Sequence, residues 1–270
     1  MEKLRFRLRS QVLAYDEHGS RCWRTEESEV SYEPHEVAVV IVDVWDRHWS
    51  TGATRRVEAL APRIDAAARR ARKAGALIVH APSDTMEFYA DHPARLRAQA
   101  LEPVLLPSVV DVPDVPQPVD TAGGGSDTMD EHPENTAVWR RQHEAIWIDE
   151  ALDLVSDSGG EIYAHFAARG IKFVIYMGVH TNMCILGRSF AIKAMRRAGL
   201  QTALARDLTD AMFDPSRPPY VSHGEGTRLV VEYIEKFYCP TVDGLTSSHT
   251  GCFALPRFAR LAAMITRARY

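Results

Sequence analysis

The chain has 270 residues, of which 25% are charged and 46% are hydrophobic. This composition is ordinary for a soluble globular protein, and it excludes a disordered chain, a coiled coil and a collagen-like fibre. The formal net charge of −4 argues against a dedicated nucleic-acid binder, which usually carries a basic domain. No apolar run approaches the roughly 20 residues that a membrane-spanning helix needs. We therefore expect neither nucleic acid nor a membrane as a partner.

The predicted elements form an alternating series along the chain. They are a β-hairpin or edge ribbon over 1–35, a strand over 37–43, a helix over 56–74, a strand over 76–80, a helix from about 160 to 169, a strand over 172–178, a helix over 184–199, a strand over 201–207 and a helix over 227–238. Strands that are apolar throughout, such as VAVVIVD, are typical of a parallel sheet buried on both faces.

This alternation predicts an α/β fold with three layers, in which helices cover both faces of a doubly wound, mainly parallel sheet. Ligands gather at the carboxyl ends of the strands in such sheets. Four parts of the chain lie at the carboxyl end of a predicted strand: Asp43, His80, the segment 178–184 and Asp207. We therefore expect these residues to lie at one edge of the sheet.

Residues 100–145 depart from the alternation, because they are rich in Pro, Gly and Asp. Loops of this length inside a compact fold are often lids or binding loops. We interpret the segment as a lid-like insertion within a single domain that spans residues 1–270, with the ribbon over 1–35 at its amino terminus.

The cysteines and the amino terminus favour a cytoplasmic protein. The segment MEKLRFRLRS has no apolar core behind its charges and so does not resemble a secretory signal. The four cysteines are scattered without a CxxC pair, and we expect each to be free: Cys22, Cys184, Cys239 and Cys252.

The segment YMGVHTNMC, which ends at Cys184, carries the sharpest chemical signal. A strand ends near Gly178, and a helix capped by Thr181 or Asn182 is predicted to follow, so that Cys184 lies in its first turn. The N–H groups and positive dipole at a helix start lower the pKa of a thiol, which favours a nucleophile. A buried structural cysteine is the alternative interpretation.

A nucleophile needs a base within reach, and Asp43 ends a strand at the same predicted sheet edge. An acidic residue in that place can instead cap a helix or close a turn.

The combination of VAVVIVDVWD with MGVHTNMC far downstream resembles the isochorismatase-like cysteine hydrolases, over roughly residues 36 to 240. That superfamily includes nicotinamidases, N-carbamoylsarcosine amidase and ureidoacrylate or biuret-type amidohydrolases. The resemblance implies that Asp43 is the general base and Cys184 the nucleophile. It also implies a cis peptide bond between Val179 and His180, and an oxyanion hole formed by the backbone N–H groups of His180 and Cys184.

The resemblance also implies a reaction, namely hydrolysis of an amide-type C–N bond of a small molecule through a thioester. The isochorismatases themselves cleave a vinyl ether and can lack the cysteine, so Cys184 favours amide hydrolysis. A non-catalytic binding or assembly protein of the same fold is the alternative. Similar hydrolases commonly form dimers or tetramers, so we expect a homo-oligomer, with the ribbon and the carboxyl-terminal tail as candidate contacts.

The catalytic lysine of the family has no evident counterpart, because no lysine lies between residues 100 and 171. Lys193 is nine residues beyond Cys184, about 13 Å along a helix. We predict that Arg141 supplies the cation, with His143 as the second choice. An arginine at this site can stabilise charge but cannot give up its proton.

The remaining candidates surround Asp43 or follow the fourth buried strand. We expect five side chains to line the substrate pocket: Trp45, Asp46, His48, Trp49 and His223. The region that follows the second buried strand, residues 80–93, has no Asp-x-His zinc pattern, so we expect no required metal and no cofactor. A metal hydrolase built on Asp43, Asp46, His48 and His92 is a third interpretation.

Overall fold

A computed structural model describes residues 2–243, and an eight-stranded sheet is its central feature. The strands are β1 (Leu4–Tyr15), β2 (Arg21–Tyr32), β3 (Val37–Val42), β4 (Leu77–Ala81), β5 (Leu154–Val155), β6 (Phe173–Val179), β7 (Gln201–Asp210) and β8 (Thr241–Val242). Their order across the sheet is β2-β1-β8-β7-β6-β3-β4-β5. Strands β3 to β8 pair in parallel, whereas β1 pairs antiparallel with β2 and β8.

Helices cover both faces of this sheet. They are α1 (Thr51–Lys73), α2 (Pro93–Ala98), α3 (Gly159–Arg169), α4 (Cys184–Gly187), α5 (Ile192–Arg197) and α6 (His223–Phe237). The side chains of β3 alternate between two apolar clusters, one with α1 and the other with α3, α5 and α6. The predicted three-layer α/β fold is therefore confirmed.

The ribbon and the parallel strands follow from their sequence patterns. The two 12-residue strands β1 and β2 form the predicted hairpin, whose turn contains Gly19 at φ 76°. All six residues of β3 are buried, as expected for a central strand with helices on both sides. Helix α3 ends at Gly170, which takes the left-handed conformation that closes many helices.

The helix predicted over 184–199 is wrong as a continuous element. Helix α4 ends at Gly187, and Arg188 has an extended backbone. The break is held from both sides, since the Tyr176 hydroxyl donates to the Phe190 carbonyl and the Gly159 N–H donates to the Ser189 hydroxyl. These contacts come from distant parts of the chain, which a local helical pattern does not contain.

The insertion over 100–145 has little regular structure, and contacts with the core hold it in place. The Val115 carbonyl accepts a hydrogen bond from Tyr233, and Gln117 Nε2 donates to the Asn182 carbonyl over 2.7 Å. Further along, Asp127 forms an ion pair with Arg56 of α1. The insertion thus reaches from α6 across the segment before α4 to α1.

Three of the four cysteines lie within residues 2–243, and all three are free: Cys22, Cys184 and Cys239. Cys252 and the carboxyl-terminal tail, which we predict to be an oligomer contact, lie outside the described residues. Within residues 2–243, no helix combines the length and apolar composition needed to cross a membrane.

Candidate active site

Strands β3 and β6 bring Asp43 and Cys184 together. The two strands are neighbours, with Val42 opposite Gly178. Asp43 follows Val42 at φ 49°, and its carboxylate lies close enough to the thiol of Cys184 for each group to shift the pKa of the other. The predicted meeting of these two groups at the carboxyl ends of parallel strands is therefore present in the structure.

Burial decides the charge state of this pair. Asp43 is completely buried, and the loss of hydration raises the pKa of its carboxyl above the usual range. Burial also raises the pKa of the Cys184 thiol, and the neighbouring Asp43 carboxylate raises it further. The expected lowering of the thiol pKa is therefore wrong for the resting protein. The four-residue helix α4 starts too deep in the protein, and too close to a carboxylate, for the thiolate to be the resting form.

Arg188 is the cation at this site. Its Nε lies 3.3 Å from Oδ2 of Asp43, and its Nη2 lies 3.1 Å from Oδ2 of Asp84. The second oxygen of Asp43 accepts a hydrogen bond of 2.7 Å from the Ser83 N–H. Arg188 opposes the effect of burial, because its charge lowers the pKa of the Asp43 carboxyl.

The sequence contains a signal for Arg188 that our search for a lysine missed. Arg188 is four residues after Cys184, and side chains at that spacing lie on one side of a helical turn. The turn of α4 is retained up to this residue, so the guanidinium reaches back towards Asp43.

Arg141 does not occupy the predicted place beside Asp43. Its guanidinium lies 3.4 Å from Glu144 and over the ring of Phe88, in a separate groove of about 500 Å³. Its carbonyl accepts a hydrogen bond from the N–H of Asp46, so the backbone is near the site while the side chain points elsewhere. His143 also lines that groove. The prediction that Arg141 supplies the cation is thus not supported by its contacts.

The turn between β6 and α4 presents backbone groups to the thiol. The peptide bond between Val179 and His180 is cis, as the resemblance implies. The backbone N–H of His180 donates to the sulfur of Cys184, so one of the two expected oxyanion-hole donors faces the sulfur.

The predicted caps of α4 have other partners. Met183 is the cap residue, and no side-chain hydrogen bond caps the helix there. The Asn182 amide exchanges two hydrogen bonds with the backbone of Met212, and the Thr181 hydroxyl bonds to that of Thr209. These side chains therefore fasten the turn to the segment around the end of β7.

An aromatic cluster lies beside the pair. Trp45 is buried and stacks on Trp139 at 4.2 Å between ring centroids. The His48 ring stacks on both of these rings and lies tilted against Trp49 at 5.2 Å. The ring of His48 also meets that of His180 edge-on at 5.0 Å. Asp43, Trp45, His48 and His180 line a small cavity of about 10 Å³. Trp45 and His48 therefore lie beside Asp43, the general-base candidate.

Burial keeps both histidines of this cluster neutral. The pKa of His48 is lowered to about 4 and that of His180 to about 3, in each case chiefly because the ring is buried. The Nε2 atom of His180 is buried and has no hydrogen-bond partner among the described residues. Because both imidazole rings are neutral, Arg188 is the cation that contacts Asp43 among the described residues.

The other predicted pocket residues have structural contacts. Asp46 accepts a hydrogen bond from the Arg140 N–H, and Trp49 packs beneath Gly124 of the insertion. His223 donates from Nε2 to Asp210, which raises the pKa of its imidazole against the effect of burial. Asp210 in turn is paired with Arg56. These residues connect the insertion, α1 and α6 around the site.

The residues of the metal interpretation do not converge. His92 caps α2 through its Nδ1, and Asp46 is bonded to the insertion. Within residues 2–243, no group of three or more His, Cys, Asp or Glu side chains is arranged to hold a metal ion. We therefore do not propose a metal site on these residues.

Comparison with known proteins gives structural matches alone. No protein-family model matches the sequence, and no curated protein matches it either. The chain is similar in structure to isochorismatase-like cysteine hydrolases. A cysteine hydrolase from Pseudomonas syringae pv. phaseolicola 1448A shares 16% identity with a TM-score of 0.49, and the match covers 79% of this chain and 91% of that one.

Two further matches are named as an amidase and a nicotinamidase. N-carbamoylsarcosine amidase from Thermoplasma acidophilum shares 13% identity with a TM-score of 0.40, covering 80% of this chain and 99% of that one. A nicotinamidase from Acinetobacter baumanii shares 16% identity with a TM-score of 0.39, covering 78% and 98%. The resemblance that the two motifs predict is found again among these matches. At such low identities the likeness concerns the fold, and the named activities belong to those proteins.

Proposed function

We propose that the protein is an isochorismatase-like cysteine hydrolase that cleaves an amide-type C–N bond of a small molecule. The observation that carries the proposal is that the Cys184 thiol lies beside the buried Asp43 carboxylate, which Arg188 also contacts. A nucleophile, a base within hydrogen-bond reach and a group that orients the base are the parts that covalent hydrolysis requires.

The reaction begins with transfer of the thiol proton to Asp43 as the sulfur attacks the carbonyl carbon. The N–H groups of His180 and Cys184 stabilise the negative oxygen of the tetrahedral intermediate. Asp43 then protonates the leaving nitrogen, the C–N bond breaks, and a thioester remains on Cys184. Asp43 next removes a proton from water, whose oxygen attacks the thioester. The carboxylic acid departs, and the sulfur regains the proton.

Arg188 contributes charge without exchanging a proton. Its guanidinium stays protonated and favours the carboxylate form of Asp43, which is the form that can accept the thiol proton. In this proposal Arg188 takes the place that we first assigned to Arg141. The aromatic side chains of Trp45 and His48 limit the shape of the substrate beside the base.

A panel of small amides, ureas and hydroxamates tests the proposal, with amine or ammonia release as the assay. We expect Cys184→Ser to lower kcat by about four to six orders of magnitude, as removal of a catalytic nucleophile does. Cys22→Ser, the same change in a half-buried cysteine on β2, is the matched control. Mass spectrometry of the rapidly quenched enzyme should find the acyl group on Cys184.

Two outcomes would contradict the proposal. Turnover that survives in Cys184→Ser would remove the cysteine from the mechanism. Substrate-sized ligands that bind without turnover by the unaltered chain would favour the alternative, a non-catalytic binding protein of the same fold.

A further inference from the structure

Strand β2 is the outer strand of the sheet, and its free edge is exposed. Among residues 2–243, its one partner in the sheet is β1, so the backbone groups on its other side point away from the described sheet. All residues from Trp23 to Glu29 are exposed. An edge strand of 12 residues is a template for pairing with another strand unless the protein prevents that pairing.

The charges on β2 are separated by sign along the strand. Arg21 and Arg24 lie in its first third, and Glu26, Glu27 and Glu29 follow. Glu27 is paired with Arg7 of β1. Among residues 2–243, the remaining two glutamates and Arg21 form no ion pair, and Arg24 donates only to the Tyr15 carbonyl at 3.4 Å. The edge therefore has a basic end and an acidic end, and most of these charged side chains have no ion-pair partner among residues 2–243.

A second copy of the same strand has the complementary order of charges. When two β2 strands pair antiparallel about a twofold axis normal to the sheet, opposite residues must point to the same face. With the axis at Thr25, Arg21 lies opposite Glu29 of the second copy, and Arg24 lies opposite Glu26. Symmetry repeats both contacts. Moving the axis by one residue in either direction places Arg24 opposite Arg24, or Glu26 opposite Glu26, which like-charge repulsion disfavours.

The exposed apolar residues of the ribbon fit the same arrangement. Trp23 is 41% exposed although its ring meets Phe237 edge-on at 5.6 Å. Leu13 lies directly across from it on β1 and is 54% exposed. In the pairing centred on Thr25, Trp23 lies opposite Glu27 of the second copy, beside the contact between Arg21 and Glu29. Pairing would therefore shield part of the Trp23 ring, whereas Leu13, on β1, lies one strand farther from the partner.

We propose that the protein forms a homodimer by antiparallel pairing of β2 with β2 of a second copy, with the twofold axis at Thr25. The two sheets then join into one continuous sheet. Backbone hydrogen bonds supply the pairing, and the Arg21–Glu29 and Arg24–Glu26 contacts select this register.

Charge reversal and charge exchange in the full-length chain test the dimer and its register. Sedimentation equilibrium should give a dimer whose dissociation constant rises with salt, because exposed ion pairs are screened. Arg24→Glu and Glu26→Arg should each weaken the dimer about tenfold or more, since each creates two like-charge contacts. The double variant Arg24→Glu/Glu26→Arg should restore the dimer, because position 24 again faces the opposite charge at position 26. Glu58→Arg, an exposed charge reversal on α1, is the matched control.

Cross-linking tests the axis independently of charge. In a Cys22→Ser background, Thr25→Cys should form an intermolecular disulfide under mild oxidation, since the two new thiols face each other. Ser31→Cys, an exposed residue at the far end of β2, should not.

A wild-type chain that remains monomeric would overturn the proposal and show that these charges keep edge strands apart. A dimer that neither single charge reversal weakens would overturn it as well. A dimer that the single variants weaken and the double variant fails to restore would overturn the register centred on Thr25. Circular dichroism of every variant separates a lost interface from a lost fold.

Discussion

The guanidinium of Arg188 lies 3.3 Å from the Asp43 carboxylate, although 145 residues separate the two in the chain. Arg188 is also four residues from Cys184, so one short segment supplies both the thiol and the cation that face the same carboxylate. The Asp43 carboxylate, the Arg188 guanidinium and the Cys184 thiol are therefore neighbours, and the pKa of each depends on the other two.

Arg188→Gln should move the acidic limb of the pH profile of kcat/KM to higher pH. The charge of Arg188 lowers the pKa of the Asp43 carboxyl, so its removal raises that pKa and protonates the base at higher pH. We expect activity near neutral pH to fall about 100-fold, as when one electrostatic group of an active site is removed. Arg141→Gln makes the same change of charge in the separate groove and should leave the limb in place. An equal shift of the limb in both variants would show that loss of either positive charge has this effect, whether or not the arginine contacts Asp43.

Asp43→Asn should lower the pKa of the Cys184 thiol. The Asp43 carboxylate raises that pKa through its charge, and an uncharged amide removes the repulsion. The ultraviolet absorbance of the thiolate, followed against pH and corrected with Asp43→Asn/Cys184→Ser, measures the change. The variant should still be inactive, because it lacks a base. A thiol that titrates at the same pH in both proteins would refute the contact between the two groups.

Gly178→Ala should damage both stability and activity. A Cβ at this residue would lie 2.1 Å from the carbonyl oxygen of Val42, and the backbone has φ 117°. The expected loss in the free energy of unfolding is at least about 2 kcal/mol. Since Val42 precedes Asp43, separation of β3 from β6 also moves the base from the thiol.

Gly187→Ala is the matched control for that substitution. A Cβ at Gly187 meets nothing within 4 Å, and this glycine lies in α4. The control should be neutral or stabilise the fold by about 0.4–1 kcal/mol. Denaturant unfolding monitored by tryptophan fluorescence, together with the hydrolase assay, compares the two.

Asp153→Asn should reduce the free energy of unfolding by about 3–5 kcal/mol at neutral pH, because it breaks a buried ion pair. Asp153 accepts hydrogen bonds from Arg72 and His80, and these contacts lower the pKa of its carboxyl. A lowered carboxyl pKa stabilises the fold above the unfolded pKa of about 3.9, and this stabilisation is lost as the pH falls through the folded value.

The difference between wild type and Asp153→Asn should accordingly shrink in acid, which urea unfolding at several pH values can measure. Glu225→Gln, which breaks an exposed pair with Arg228, should leave the free energy of unfolding nearly unchanged. A difference for Asp153→Asn that stays constant as the pH falls would contradict the assignment.

Sequence patterns predicted those elements whose structure is determined by their own residues. The buried runs at β3, β4 and β6 are continuous and rich in β-branched residues, and β7 has a short apolar run, so their strands were predictable. Strands β5 and β8 have two residues each and leave no periodic signal. The insertion is ordered by side chains from α1 and α6, and such contacts cannot be read from its own composition.

The candidate site was predictable where two strand ends meet. Asp43 and Cys184 each end or follow a buried strand, and parallel pairing brings such residues to one edge. Arg188 was missed because the search was for a lysine, although its place four residues after Cys184 was a signal in the sequence. The break after Gly187 was not predictable, since Tyr176 and Gly159 maintain it from elsewhere in the chain. The charge state of the thiol also escaped prediction, since it depends on depth below the surface more than on the start of a helix.

The hydrogen bond from Gln117 to the Asn182 carbonyl makes the insertion a brace for the turn that precedes the nucleophile. Grafting a loop from another enzyme in place of residues 100–145, a usual route to altered selectivity, would remove that brace. A chimera of this kind should therefore keep an amide donor at the position of Gln117. Without that donor, a loss of turnover would result from displacement of the Cys184 sulfur and would say nothing about whether the substrate fits the new loop.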